Sequence, residues 1–226
     1  QVGSSAASDV YKRQIINTEE PWGADDDTDI EYMYQHLLDE NNVSILSPEQ
    51  IKEGWLNHIY SNENAPLGEN YLWVSNETAY YLMMEGILPP ETSNPKRNSN
   101  YSMIDAQLTT EIFGVLCPVR NDIAMKMAHL PVRVTAKFNS EWVSKFYISM
   151  HSLASKVDPN LSTEDQIEWL AKEARKILPD NSYSAKIFDH IQKLYLDNPD
   201  KKNWEKTRDQ IYERYQLNSN DGYTYK

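Results

Sequence analysis

Four aspartates crowd into Trp22-Gly23-Ala24-Asp25-Asp26-Asp27-Thr28-Asp29, at the point where a helical pattern begins with Ile30. Carboxylates that close repel one another unless positive potential sits among them. A helix N-terminus supplies part of it, roughly half an elementary charge, and Asp is favoured at N-cap and first-turn positions. One cap uses one Asp, so the surplus points to a bound divalent cation. Ligands that are all oxygen select the hard ions Mg²⁺, Mn²⁺ or Ca²⁺ over zinc. The spacing is not that of an EF-hand, which needs a glycine and a bidentate Glu at fixed offsets. Adjacent helical residues point about 100° apart, so Asp26 and Asp27 cannot both chelate one ion within a regular helix. At the first turn they can bracket two ions, or one ion and its water, with the remaining ligands coming from elsewhere in the fold.

Other chemistries leave no trace. The sequence holds no Gly-rich phosphate loop, CxxC pair, HExxH or GxSxG. Its five histidines, His36, His58, His129, His151 and His190, are scattered along the chain and read as packed or surface residues. The single cysteine, Cys117, lies in an apolar run and reads as a small buried hydrophobe. A formal net charge of -12 with no basic stripe argues against nucleic-acid binding. No apolar run approaches the ~18 residues of a membrane span. With 226 residues, 40% of them hydrophobic, the chain can bury a substantial core.

The elements that must position the aspartates are helices. Ile30, Met33, Tyr34, Leu37 and Leu38 recur at one face of a 3.6-residue period, predicting a helix to about Glu40. Ser47-Pro48-Glu49-Gln50 announces the next, with Ser as N-cap, Pro at N1 and Gln completing a capping box. Asn62 to Asn70 is a polar loop, and a third helix spans about Glu77 to Glu85 with Gly86 as its C-cap glycine. Pro89 to Asn98 reads as an extended surface loop. An apolar helix is predicted from Ser102 to about Leu116, with Asp105, Gln107 and Glu111 inside a buried pattern where polar groups need partners. Asp122 to Ala136 forms another, interrupted at Pro131, and Asn139 is the expected N-cap of a long amphipathic helix through Ala154. Ser162 to Leu178, Ser182 to Leu196 and Lys201 to Leu217 are charged, surface-type helices. No alternating strand pattern exists anywhere. The fold class is all-α.

Two segments carry a resemblance. The aspartate cluster followed by a helix resembles the "TDDT" metal motif of the ADP-ribosylglycohydrolase family, which includes the J1 crystallins of the eye lens. Met103-Ile104-Asp105-Ala106-Gln107-Leu108-Thr109-Thr110-Glu111-Ile112-Phe113-Gly114, then Pro118, then Ile123 to Ala128, is similar to that family's "IGAQIRAD-FG" segment and the helix after it. Together they cover Trp22 to Lys156. The resemblance implies a multi-helix orthogonal bundle whose cleft holds two Mg²⁺ or Mn²⁺ ions. It also implies cleavage of a glycosidic bond linking ADP-ribose to a protein side chain or small molecule. Carried over by position, Asp26 and Asp27 match the motif's aspartates. Asp25 stands where the family has a Thr ligand, Thr28 matches the last motif residue, and Asp29 lies behind them. Asn76, Asp105, Gln107 and Glu111 become expected residues of the substrate-pocket wall.

Departures from the family pattern shape the expectation. Its second metal motif, Asp-x-Asp-Thr near the domain's C-terminal end, has no counterpart here, and neither has its early Gly-Asp segment. The family's "DASLSH" stretch reads Pro131-Val132-Arg133-Val134-Thr135-Ala136. Ser4 to Gln14 matches, codon for codon, the translation of a transposase adapter used in sequencing libraries, so Gln1 to Gln14 reads as a scar rather than natural protein. The expectation is therefore a truncated domain over 15–158, with 159–226 as further helices or an insertion. Its metal site would be half complete. The rival expectation is a non-catalytic structural or binding relative on the same scaffold.

Overall fold

Ile30, Met33, Tyr34 and Leu37 fall on one side of the first helix, α1 (Asp26–Glu40), and all four are buried. The computed structural model describes residues 26–59 and 72–217. The adapter-like segment, Asp25 and the polar loop from Asn62 to Asn70 lie outside the described residues. Among the described residues the secondary structure is helical with no strand, an all-α bundle as the periodicity predicts.

The second helix, α2 (Pro48–His58), starts with the reciprocal box read from sequence. The Gln50 backbone N–H donates to Ser47 Oγ at 3.2 Å, and the Ser47 N–H donates to Gln50 Oε1 at 2.8 Å. Helices α1 and α2 cross where α2 carries Gly54. A Cβ there would fall 2.3 Å from Leu37 Cδ1, so with Leu37 in this rotamer the position takes glycine. Beside the crossing, the buried Trp55 indole N–H donates to the buried Tyr34 hydroxyl at 3.1 Å, satisfying the polar tips of both rings. Burial raises the Tyr34 phenol well above its ordinary pKa.

The third helix, α3 (Val74–Met84), ends at Gly86, whose φ of 92° is left-handed. Gly86 N–H bonds Met83 O and Ile87 N–H bonds Leu82 O, the paired bonds of a Schellman cap. The segment after it departs from the expected surface loop. Thr92, Ser93 and Asn98 are fully buried, and Glu91–Ser93 forms a 3-10 turn. Side chains replace the missing ladder. Arg133 Nε donates to Ser93 Oγ at 3.1 Å, and Asn98 Oδ1 accepts from the Asn100 N–H at 2.9 Å. A segment that satisfies its own polar groups can be buried without regular structure, and hydropathy does not reveal that.

The single helix predicted from Ser102 to Leu116 is two one-turn helices, α4 (Asp105–Leu108) and α5 (Ile112–Val115). The break has a cause at each side. Thr110 Oγ1 donates to Ala106 O at 2.6 Å, and the Ile112 N–H donates to Glu31 Oε1 of α1 at 2.8 Å, which starts the second turn afresh. Next come α6 (Asn121–Thr135), with Pro131 inside it, and α7 (Asn139–Ala154). Asn139 is not the cap of α7 but its first residue. Its Oδ1 accepts instead from the Ser184 N–H at 3.0 Å, joining α7 to α9 (Tyr183–Asp197). The charged helices are α8 (Thr163–Ala174), α9 and α10 (Trp204–Tyr212), with Ser162 and Ser182 capping the first two.

Helix α7 faces two cores. Ile148 belongs to the larger, built from α1 to α7, while Phe146 joins Ala174, Leu178 and Ala185 in the smaller one under α8 and α9. Its backbone is approached closely by α5, where a Cβ on Gly114 would meet the Ile148 carbonyl oxygen at 2.3 Å. Ser152 Oγ donates to the carbonyl of Cys117, whose thiol is buried as expected. Gly54→Ala and Gly114→Ala overpack two different neighbours, with overpacking ordinarily costing about 1–3 kcal/mol. Leu37 can rotate away and a carbonyl cannot, so Gly114→Ala should lower the thermal midpoint more. Parallel calorimetric melts of the two variants check the order.

Candidate metal centre

Asp26 opens α1 and turns inward, only 5% exposed. Its Oδ2 accepts from the Trp73 backbone N–H at 3.0 Å and from Asn76 Nδ2 at 2.9 Å. Trp73 is the N-cap position of α3 and its own side chain makes no capping bond. A carboxylate from another helix does that work. The charge therefore lies in the first turn of one helix and against the N-terminus of a second, where both dipoles favour it. Charge-assisted hydrogen bonds of this kind contribute about 1.5–3 kcal/mol each.

Asp105, at the start of α4, is the second buried carboxylate, 3% exposed. Burial lifts its pKa above the usual carboxylate range. The Ser75 side chain and the backbone of Asp105 itself oppose that, and the negative charge of Asp26 adds to it. Asp26, Asn76, Ser75 and Asp105 thus form one buried group. Among the described residues neither carboxylate makes an ion pair with a lysine or arginine. Two oxygens in the group, Asn76 Oδ1 and Asp105 Oδ1, are buried without a hydrogen-bond partner, and the Ser75 hydroxyl faces the Asp105 carboxylate. Each orphaned buried polar atom costs about 1–3 kcal/mol. Two carboxylates, an unpaired amide oxygen and a hydroxyl oxygen are an all-oxygen donor set, and they fit a hard divalent cation.

The other expected residues separate. Asp27 is half-buried and Thr28 and Asp29 are exposed, as the 100° step between neighbours requires. Asp25 lies outside the described residues. Asn76 and Asp105 join the cluster, whereas Gln107 is half-buried on α4. Glu111 belongs elsewhere. Its Oε2 lies 3.4 Å from His151 Nε2, and both flank Glu31. Burial raises the Glu31 pKa, the Ile112 N–H opposes this, and the Glu111 charge adds to it. Glu31 lies four positions on from Asp27, so this second acidic group sits on the Asp27 side of α1, turned away from the inward stripe that Asp26 heads. Ser75, Trp73, Glu31 and His151 are the participants that sequence reasoning passed over. Only Glu31 had a local signal, its spacing from Asp27. An open groove of about 420 Å³ lies apart, lined by Glu49, Lys52, Glu53, Leu56, Asn57, Gly86 and Leu88.

Compared with known protein families, curated proteins and solved structures, the chain matches none.

Because the folded pKa of Asp105 is raised, its favourable contribution is complete at acid pH and is lost as pH rises through that folded value. Asp105→Asn should therefore stabilise the metal-free protein near pH 7, by about 1 kcal/mol or ~2–4 °C. The gap should close towards about pH 4. Thermal melts of both proteins in chelator across that range check it. Asp26→Ala acts oppositely, destabilising by about 2 kcal/mol or more because it strands the Trp73 N–H and the Asn76 amide.

Proposed function

We propose that this chain is a metal-dependent hydrolase of the ADP-ribosylglycohydrolase type. It would cleave a glycosidic bond to ADP-ribose, or to a related ribosyl group on a protein or small molecule. The observation that carries the reading is the meeting of Asp26 with Asp105, Asn76 and Ser75 in a buried group whose unpartnered atoms are all oxygen. Asp26 comes from the aspartate motif and Asp105 from the second resembling segment, 79 residues on (105 − 26). Two sequence motifs that the resemblance relates to one site thus contribute to one cluster.

Asp26, Asp105, Asn76 Oδ1 and Ser75 Oγ would hold Mg²⁺ or Mn²⁺, with Asp27 beside them and two ions in the complete site. When bound, such an ion polarises a ribose hydroxyl and lowers the pKa of a water, chemistry suited to an oxocarbenium-like cleavage. The chain's own residues do the positioning. Trp73 and Asn76 fix the Asp26 carboxylate, and burial keeps competing water from its inner oxygen. The Trp73 indole, 66% exposed, offers a ring face on which a nucleobase can stack.

A second reading, a non-catalytic relative that keeps the scaffold, is favoured by one observation. Asp26 already works as a tether between α1 and α3. Titration calorimetry with MgCl₂ and MnCl₂, followed by release of ADP-ribose from ADP-ribosylated peptide, separates the readings. The hydrolase reading expects saturable binding that falls about tenfold or more in Asp26→Ala, Asp27→Ala and Asp105→Asn, together with turnover. Binding without turnover selects the non-catalytic relative. Absence of binding, or binding indifferent to all three substitutions, sinks the metal reading.

A further inference from the structure

A second set of ligating side chains lies on the outside of the α1–α2 crossing. His36 and Glu40 are four residues apart on α1 and share a helix face. His58 is the last residue of α2. The His36 and His58 rings meet edge to face with centroids 5.0 Å apart, and His36 Nε2 lies 3.7 Å from Glu40 Oε2. One ligand atom from each of the three falls within 4.8 Å of the other two. We propose that His36, Glu40 and His58 form a binding site for Zn²⁺, with a fourth position open to water or an external ligand.

The donor set separates this site from the aspartate cluster. Two imidazoles and one carboxylate suit zinc and its borderline neighbours, whereas Mg²⁺ and Ca²⁺ prefer oxygen alone. Two histidines and a glutamate with one open position is a recurrent zinc ligand set. Tetrahedral zinc, with bonds of about 2.0–2.2 Å, requires ligand atoms roughly 3.3 Å apart. The three atoms must therefore close by about 1.5 Å at most from the observed 4.8 Å. All three side chains are exposed, so rotation about their side-chain bonds achieves this without disturbing the core.

The backbone beneath them is fixed. Leu37, next to His36, packs directly on Gly54, one helical turn before His58. The crossing thus holds the two histidine backbones in register, and the site would clip α1 to α2. Among the described residues Glu40 lies against His36 and makes no ion pair with a lysine or arginine.

Calorimetric titration of ZnCl₂ into tag-free protein stripped with chelator tests the site. One saturable equivalent is expected, with affinity falling at least tenfold in His36→Ala and in His58→Ala and unchanged in His151→Ala. Circular dichroism melts of the same variants establish that each is folded, which exposed histidines permit. A zinc-induced rise in thermal midpoint, present in the parent and absent in His58→Ala, is the second readout. No saturable binding would overturn the proposal. So would an affinity that both His36→Ala and His58→Ala leave unchanged, because the ion would then sit on other residues.

Discussion

One carboxylate ties the starts of α1 and α3 together. Asp26 begins α1, yet its oxygen serves as the missing cap of α3 through the Trp73 N–H and is braced by the Asn76 amide. Taking a carboxylate out of water costs several kcal/mol, and a cation is the usual remedy. Here, among the described residues, no basic side chain supplies it. Two helix N-termini and two charge-assisted hydrogen bonds offset the cost instead. Everything nearby follows from that choice. The start of α3 must lie against the start of α1, which carries Ser75 and Asn76 inward and sets them beside Asp105. The second carboxylate is the one left in debt, and its raised pKa is the sign of it.

The centre and the bundle share another connection through Glu31. Its carboxylate caps α5 and lies among Glu111 and His151, the latter on α7. Helix α1 is thus tied to α3 by Asp26, at the head of its apolar stripe, and to α5 and α7 by Glu31 on its flank, while the rest of that stripe carries the core. Helix α7 does the matching task further out, with Ile148 in one core and Phe146 in the other.

What could be read from sequence was what depends on neighbours along the chain. The apolar stripe of α1, the box at Ser47 and Gln50 and the glycine stop at Gly86 are local devices, and each stands where its residues place it. The aspartates were legible as a group but not as individuals, because which of them turns inward depends on α3, nearly fifty residues away. Likewise the apolar stretch from Ser102 read as one helix, since nothing in it announces that Glu31 will cap Ile112 and divide it. Pro89 to Asn98 looked like solvent-facing loop because its burial rests on Arg133, which lies forty residues on from Ser93. His36 and His58 looked scattered for the same reason, since their meeting requires the close crossing at Gly54.

The two faces of α7 bear on how the protein comes apart. Helices α8 and α9 rest on a small aromatic cluster of Phe146, Tyr147 and Phe188, separate from the core that encloses Trp55, Tyr34 and Phe113. Cooperative units follow such boundaries, and the unit burying less apolar area opens at lower free energy. The C-terminal helices can therefore detach and return while the aspartate centre stays intact. Their backbone amides would exchange with solvent through that partial opening, and those of α1 and α2 only through loss of the whole fold.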